Sequence, residues 1–163
     1  MKKKLAKKQS ETFDDKGGRS RVAAKSNEVY MRAVAEEKYP SNLLVPLDRP
    51  FVDERGIIQN LLLTNIEGVA IITSKAGTIR SNHWHKTDWH FLYVLQGEMK
   101  YYERDLSEDF NDKWILVSQG DMVFTPPCKV HKTVFTKDTV LLSCSRNKRS
   151  HELHEQDLVR EEF

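Results

Sequence analysis

Nine short runs rich in β-branched and aromatic residues, each closed off by Gly, Pro, Asp or Asn, occupy most of the stretch from residue 56 to residue 145. They cover 56–64, 68–74, 78–85, 90–96, 99–103, 114–117, 121–125, 132–136 and 139–145. Strands this short, separated by turn signals at this spacing, predict an all-β sandwich or barrel. No helix-length apolar pattern falls between them, which argues against a parallel βαβ sheet. The flanks read differently. Residues 21–38 are rich in helix formers and predict a helix stopped by Tyr39-Pro40, and 150–163 predicts a short helix after the last strand. The expected organisation is a basic arm over 1–40, mobile in its first 20 residues, a β domain over 41–150 and a tail over 151–163.

The 163 residues suit one compact domain. No run approaches the roughly 20 apolar residues of a membrane span. The net charge of +2 hides a split. Residues 1–25 carry nine Lys/Arg against three Asp/Glu, and the remainder carries 17 against 21. The body is mildly acidic and presents no broad electropositive face, so nucleic acid is not an expected partner and any polyanion contact falls to the arm. The amino-terminal residues lack the apolar core of a secretory signal, and the two cysteines, Cys128 and Cys144, make no disulfide framework. A cytoplasmic protein with two buried thiols is expected.

The six histidines are unevenly placed: His83, His85 and His90 lie within eight residues, His131 stands alone, and His151 and His154 sit in the tail. Residues i and i+2 of a strand share a face, so His83 and His85 project together into a barrel interior, with Ile79 and Ser81 beside them and Arg80, Asn82 and Trp84 outside. A short turn over 86–89 returns His90 alongside, and His131 completes the set if its strand crosses the same interior. Clustered imidazoles suit a divalent transition metal, Zn, Ni, Fe or Mn.

These residues carry a resemblance. Gly77, His83, His85, His90 and Gly97 are spaced as in the first motif of the cupin superfamily, and Gly120, Pro126 and His131 as in the second. The resemblance implies a double-stranded β-helix, or jelly roll, with a metal in the barrel mouth held by His83, His85, His90 and His131, and pairing of barrels into a homodimer. The chain departs from the family pattern at three places: His90 replaces a Glu ligand, Cys128 a glycine and Phe135 an asparagine. With four neutral imidazoles a divalent ion keeps its formal +2 charge, which favours an anionic or enolate ligand and works against ferric iron.

If His90 faces inward, so do Leu92 and Val94, while Phe91, Tyr93 and Leu95 face away. On the next strand either Met99, Tyr101 and Glu103 or Lys100 and Tyr102 point inward; Tyr101 is the preferred polar group, because a buried unpaired Lys100 is costly. Lys86 and Trp89 flank the cluster as candidate substrate-binding residues. Phe51-Val52-Asp53-Glu54-Arg55-Gly56, together with His83-Trp84-His85-Lys86, is similar to segments of the deoxysugar-nucleotide epimerases and ketoisomerases of the same superfamily. That resemblance implies a nucleotide-linked sugar as small-molecule substrate, Arg55 as a substrate contact and His83 and His85 as acid/base groups without a metal.

The expected activity is isomerisation or epimerisation of a sugar, probed first at Tyr101, in polysaccharide-precursor synthesis. Two rivals are an Fe(II)-dependent dioxygenase and a non-catalytic sugar- or effector-binding module.

Overall fold

The computed structural model describes residues 39–109 and 113–161. The predicted helix over 21–38 and most of the basic arm lie outside the described residues. Among the described residues eleven strands follow in order: β1 (Phe51–Asp53), β2 (Gly56–Ile58), β3 (Gly68–Ser74), β4 (Ile79–His85), β5 (His90–Gln96), β6 (Glu98–Asp105), β7 (Trp114–Ser118), β8 (Met122–Thr125), β9 (Lys129–Phe135), β10 (Thr139–Ser145) and β11 (Leu158–Arg160), with a helix, α1 (His151–Asp157), before the last. Among the described residues no helix is long and apolar enough to cross a membrane.

Two antiparallel sheets, ordered β3-β10-β5-β8 and β11-β4-β9-β6-β7, form the barrel, and β1-β2 is a separate hairpin. The jelly-roll expectation holds, and the reason lies in how side chains alternate. Leu92, Val94, Val123 and Leu141 of the first sheet meet Met99, Tyr101, Val117 and Phe135 of the second in one buried core. The other face of the first sheet is also covered: Trp89, Phe91, Met122, Phe124 and Cys144 pack under Tyr39, Val45, Leu47, Leu62 and Ile66. Burial on both faces explains why 90–96 is nearly all apolar rather than alternating. Trp84, Cys128 and Val130 make a third cluster, against Leu106 and Val159. Both cysteines are free and buried.

The loop between β5 and β6 turns on Gly97, at φ +92, where an added Cβ would lie 2.4 Å from the Asp138 carbonyl oxygen. Only glycine meets both conditions.

Three local expectations are corrected. The run over 56–64 is not one strand: it ends at Ile58 as half of a hairpin whose turn is closed by Asp53, which accepts from the Arg55 amide at 2.9 Å and from its guanidinium. The chain then runs on without a strand, because Leu62 and Ile66 serve the outer cluster instead of a ladder. In β4 the register shifts between Ser81 and His83, with Ser81 and Asn82 both at positive φ. This bulge inserts a residue and reverses the faces before it. Ile79 is therefore outside and 55% exposed, whereas Arg80 lies opposite Thr133 and lines the interior. Finally, the tail helix is there, capped by Ser150, but it is followed by β11, which pairs Leu158 with His85 and Arg160 with His83.

Candidate metal centre

His83 and His85 on β4, His90 on β5 and His131 on β9 converge inside the barrel, as their spacing predicts. The Nε2 atoms of His83 and His85 are 3.2 Å apart, and ligand atoms of His83, His85 and His131 all lie within 4.8 Å of one another. The His90 ring is 5.3 Å, centre to centre, from those of His85 and His131. It groups with His85 and Asp88 rather than with the first three.

Hydrogen-bond partners set the tautomers. His85 Nδ1 lies 3.1 Å from Asp157 Oδ2, so it carries the proton and Nε2 presents a bare lone pair. His131 Nδ1 donates to the Lys129 carbonyl at 3.2 Å, and its Nε2 is buried with no hydrogen-bond partner. Burial and the neighbouring His85 hold His83 down to about 3, and burial pushes His90 and His131 well below the ordinary imidazole range. Buried imidazole nitrogens turned toward one another, with the Nε2 of His131 left unpartnered, are a donor set that fits a divalent cation.

Asp157 is built to hold His85. Burial alone would raise its carboxyl, but hydrogen bonds from His85 and Thr87 bring it to about 2. Oδ1 accepts from the Thr87 amide (2.9 Å) and hydroxyl (2.7 Å), and Oδ2 from the Asp88 amide (3.2 Å). His154, on the same helix, faces His85 at a ring distance of 5.5 Å and lines the cavity with Arg80 and Arg149. Burial lowers its pKa too. Sequence reasoning missed Asp157, His154 and Arg149, because the chain between them and the cluster is long. A Ser cap followed by His154 and Asp157 at a spacing of three was the available signal.

The remaining candidates are placed as follows. Tyr101 faces inward with Met99, as preferred, but is fully buried in the core. Its hydroxyl shares a 2.7 Å hydrogen bond with Thr125 and donates to Glu103 at 3.4 Å, and burial keeps the phenol well above its ordinary pKa. Burial likewise lifts Glu103 to about 7. Lys86 donates to the Gln156 carbonyl at 2.6 Å, outside the barrel mouth beside α1. Trp89 packs against Phe91 and Phe124 in the outer cluster, and Arg55 stays on its own hairpin with Asp53; the structure brings neither to the histidines. Cys128 also sits outside the cavity, against Trp84, at φ +59. Its amide donates to the His85 carbonyl at 2.8 Å. It adopts the left-handed backbone that glycine supplies at this motif position.

Residues 70–144 match the family model of the cupin domain. Over those residues the barrel is similar to a cupin domain. No match is found among curated protein sequences. Solved structures share its fold at low identity. The QdtA 3,4-ketoisomerase of Thermoanaerobacterium thermosaccharolyticum, a double mutant in complex with TDP, is 23% identical at a TM-score of 0.58, over 72% of this chain and 85% of that one. A 3,4-ketoisomerase from Helicobacter canadensis is 19% identical at 0.60, over 72% and 89%. The dTDP-4-dehydrorhamnose 3,5-epimerase of Sulfolobus tokodaii is 14% identical at 0.52, over 69% and 80%. The chain therefore shares the barrel fold of those enzymes.

Proposed function

We propose that this chain is an isomerase or epimerase of a nucleotide-linked keto sugar, acting in polysaccharide-precursor synthesis, with a divalent transition metal bound by His83, His85 and His131. The observation that carries the reading is a cluster of three imidazoles that turn Nε2 atoms toward one another, that of His131 buried without a partner, bordered by Arg80 and Arg149 in the mouth of a cupin barrel. The bound metal would act as a Lewis acid toward a carbonyl oxygen. The Arg80 guanidinium, bonded among the described residues only to the Ser74 hydroxyl and the Thr73 carbonyl, suits an anionic substrate such as a nucleoside diphosphate sugar, and similar barrels are known in complex with TDP.

The chain's own part is to move a proton. Removal of a hydrogen α to the ketone and its return to the adjacent carbon on the same face is redox-neutral and needs one base that becomes the acid, whereas return to the opposite face of the same carbon needs a second proton donor on that face. His154 suits the role of the base, since burial lowers its pKa, it lines the cavity, and it lies beside His83 and His85 without being one of the three grouped ligands. Tyr101, by contrast, is tied to Thr125 and Glu103 beneath the cluster. It supports the floor of the site, stacked parallel to His131 at 6.4 Å.

The test is solvent exchange. Zn-loaded protein incubated with TDP-4-keto-6-deoxyglucose in deuterium oxide should incorporate deuterium at the carbon next to the ketone, and His154→Gln should abolish this while leaving TDP binding intact. Tight TDP binding with no exchange under any metal would overturn the enzymatic reading in favour of a binding module.

A further inference from the structure

We propose that His90 is not a fourth metal ligand but a hydrogen-bond donor, held by Arg149 as its Nε2–H tautomer and offered to an oxygen of the bound ligand. The inference rests on the three-histidine centre proposed above and concerns what the fourth imidazole of that cavity does.

The chemistry of one contact decides the tautomer. Arg149 Nη2 lies 3.2 Å from His90 Nδ1. A guanidinium has only N–H groups and no lone pair to give, so Nδ1 must be the acceptor and carries no proton. A neutral imidazole then bears its proton on Nε2. That nitrogen cannot bind a metal while the proton stays. Moving the proton to Nδ1, which ligation through Nε2 requires, would set an N–H against the N–H of Arg149.

The other three rings are held the opposite way or left open. Asp157 on His85 and the Lys129 carbonyl on His131 both accept from Nδ1–H and so leave Nε2 bare. The partners around the cluster thus sort the imidazoles by role, with an acceptor behind each of two ligands and a donor behind His90.

The second group of metal-competent atoms, His85, Asp88 and His90, fits the same account. Arg149 is ion-paired to Asp88 at 3.5 Å as well as bonded to His90. The cation among those atoms is the chain's own guanidinium. Asp88 is buried and further committed by accepting from the Asn147 amide at 2.9 Å, which fixes the turn that delivers Arg149. The His90 ring lines the cavity, and with Nδ1 engaged, Nε2–H is the polar group it has to offer. A carbonyl or enolate oxygen, which wants donors, is the class of ligand group it would meet. Arg149 is the positioning residue in this arrangement.

Two measurements test it. The first is long-range 1H–15N correlation of the imidazoles in metal-free protein. His90 should show Nε2 protonated and Nδ1 bare, and Arg149→Met should shift that signature toward Nδ1–H, which a purely structural arginine would not do. Nδ1–H at His90 in the wild type overturns the proposal. The second is competitive Zn2+ titration. Losing a partner that merely orients a ligand costs roughly 10–100-fold in affinity. His131→Gln should lose at least that much, whereas His90→Gln should stay within a few-fold of wild type, and equal losses in the two variants overturn the proposal. If wild type binds no Zn2+ at all, the metal reading fails while the imidazole spectra still decide the role of His90.

Discussion

Asp157 and His85 are 72 positions apart in sequence and share a 3.1 Å contact that points the bare nitrogen of His85 at His83. The carboxylate is itself clamped by Thr87 and Asp88, so it has one orientation to impose. Carboxylate–histidine pairs of this kind tune metal ligands in general.

Replacing Asp157 with Ala should lower Zn2+ affinity roughly 10–100-fold, read by titration against a competing chelator. It should also reduce stability by about 1–3 kcal/mol, because the His85 N–H and the Thr87 donors lose their acceptor. Urea unfolding of the metal-free protein measures the second effect apart from the first. Unchanged Zn2+ affinity would show that the contact does not orient His85.

Gly97→Ala should be among the more damaging small substitutions outside the cavity. At φ +92, with the Asp138 carbonyl oxygen 2.4 Å from the new Cβ, strain of roughly 1–3 kcal/mol is expected from the backbone alone. A drop in the thermal midpoint, with Zn2+ stoichiometry unaltered in the folded fraction, is the expected result.

Cys128→Gly should come close to wild-type stability. Glycine relieves a left-handed conformation that costs other residues about 1–2 kcal/mol, against the lost burial of the sulfhydryl beside Trp84. Cys128→Val adds a β-branched side chain at the same φ and should be clearly destabilising. Equal effects of the two variants would mean that the backbone conformation at 128 carries no cost.

Metal-free protein should become less stable on acidification below neutrality. An unfolded histidine titrates near 6.5, whereas burial holds His83 down to about 3 and pushes His90 and His131 well down. In that window the unfolded chain binds more protons than the folded one, so stability rises with pH and is lost as pH falls. Glu103 has the opposite sign: burial lifts its carboxyl to about 7, so the folded state keeps a proton that the unfolded state releases. Burial lowers His154 as well and raises buried Asp88 on the side of Glu103, and the four histidines set the net direction against the two carboxyls. Thermal midpoints of chelator-treated protein, measured from neutral pH down to about pH 5, should fall; a rise would contradict this account.

Much of the barrel was legible because its strands carry local signals. The limits of β3, β5 and β10 match the apolar runs bounded by Gly, Asp and Asn, and the HxH spacing placed His83 and His85 on one face. The misplacement of Ile79 and Arg80 has a physical cause: Ser81 and Asn82 adopt positive φ without a glycine to announce it. The hairpin over 51–58 was missed because its closing interaction is between the side chain of Asp53 and residue 55, not an apolar pattern. His154, Asp157 and Arg149 join the site only through tertiary contacts, such as the pairing of β11 with β4, which no local period encodes.

That pairing bears on how the protein is made. A ribosome delivers His83, His85 and His90 almost together and His131 some forty residues later, while Asp157 arrives on a segment that must reach back across 72 positions. Until it does, the His85 ring has no partner to choose its tautomer, and nothing from β11 covers the β4 edge. A nascent barrel would thus hold its ligands before it could present them correctly. On this schedule, loading of the proposed metal centre would follow the docking of α1 and β11.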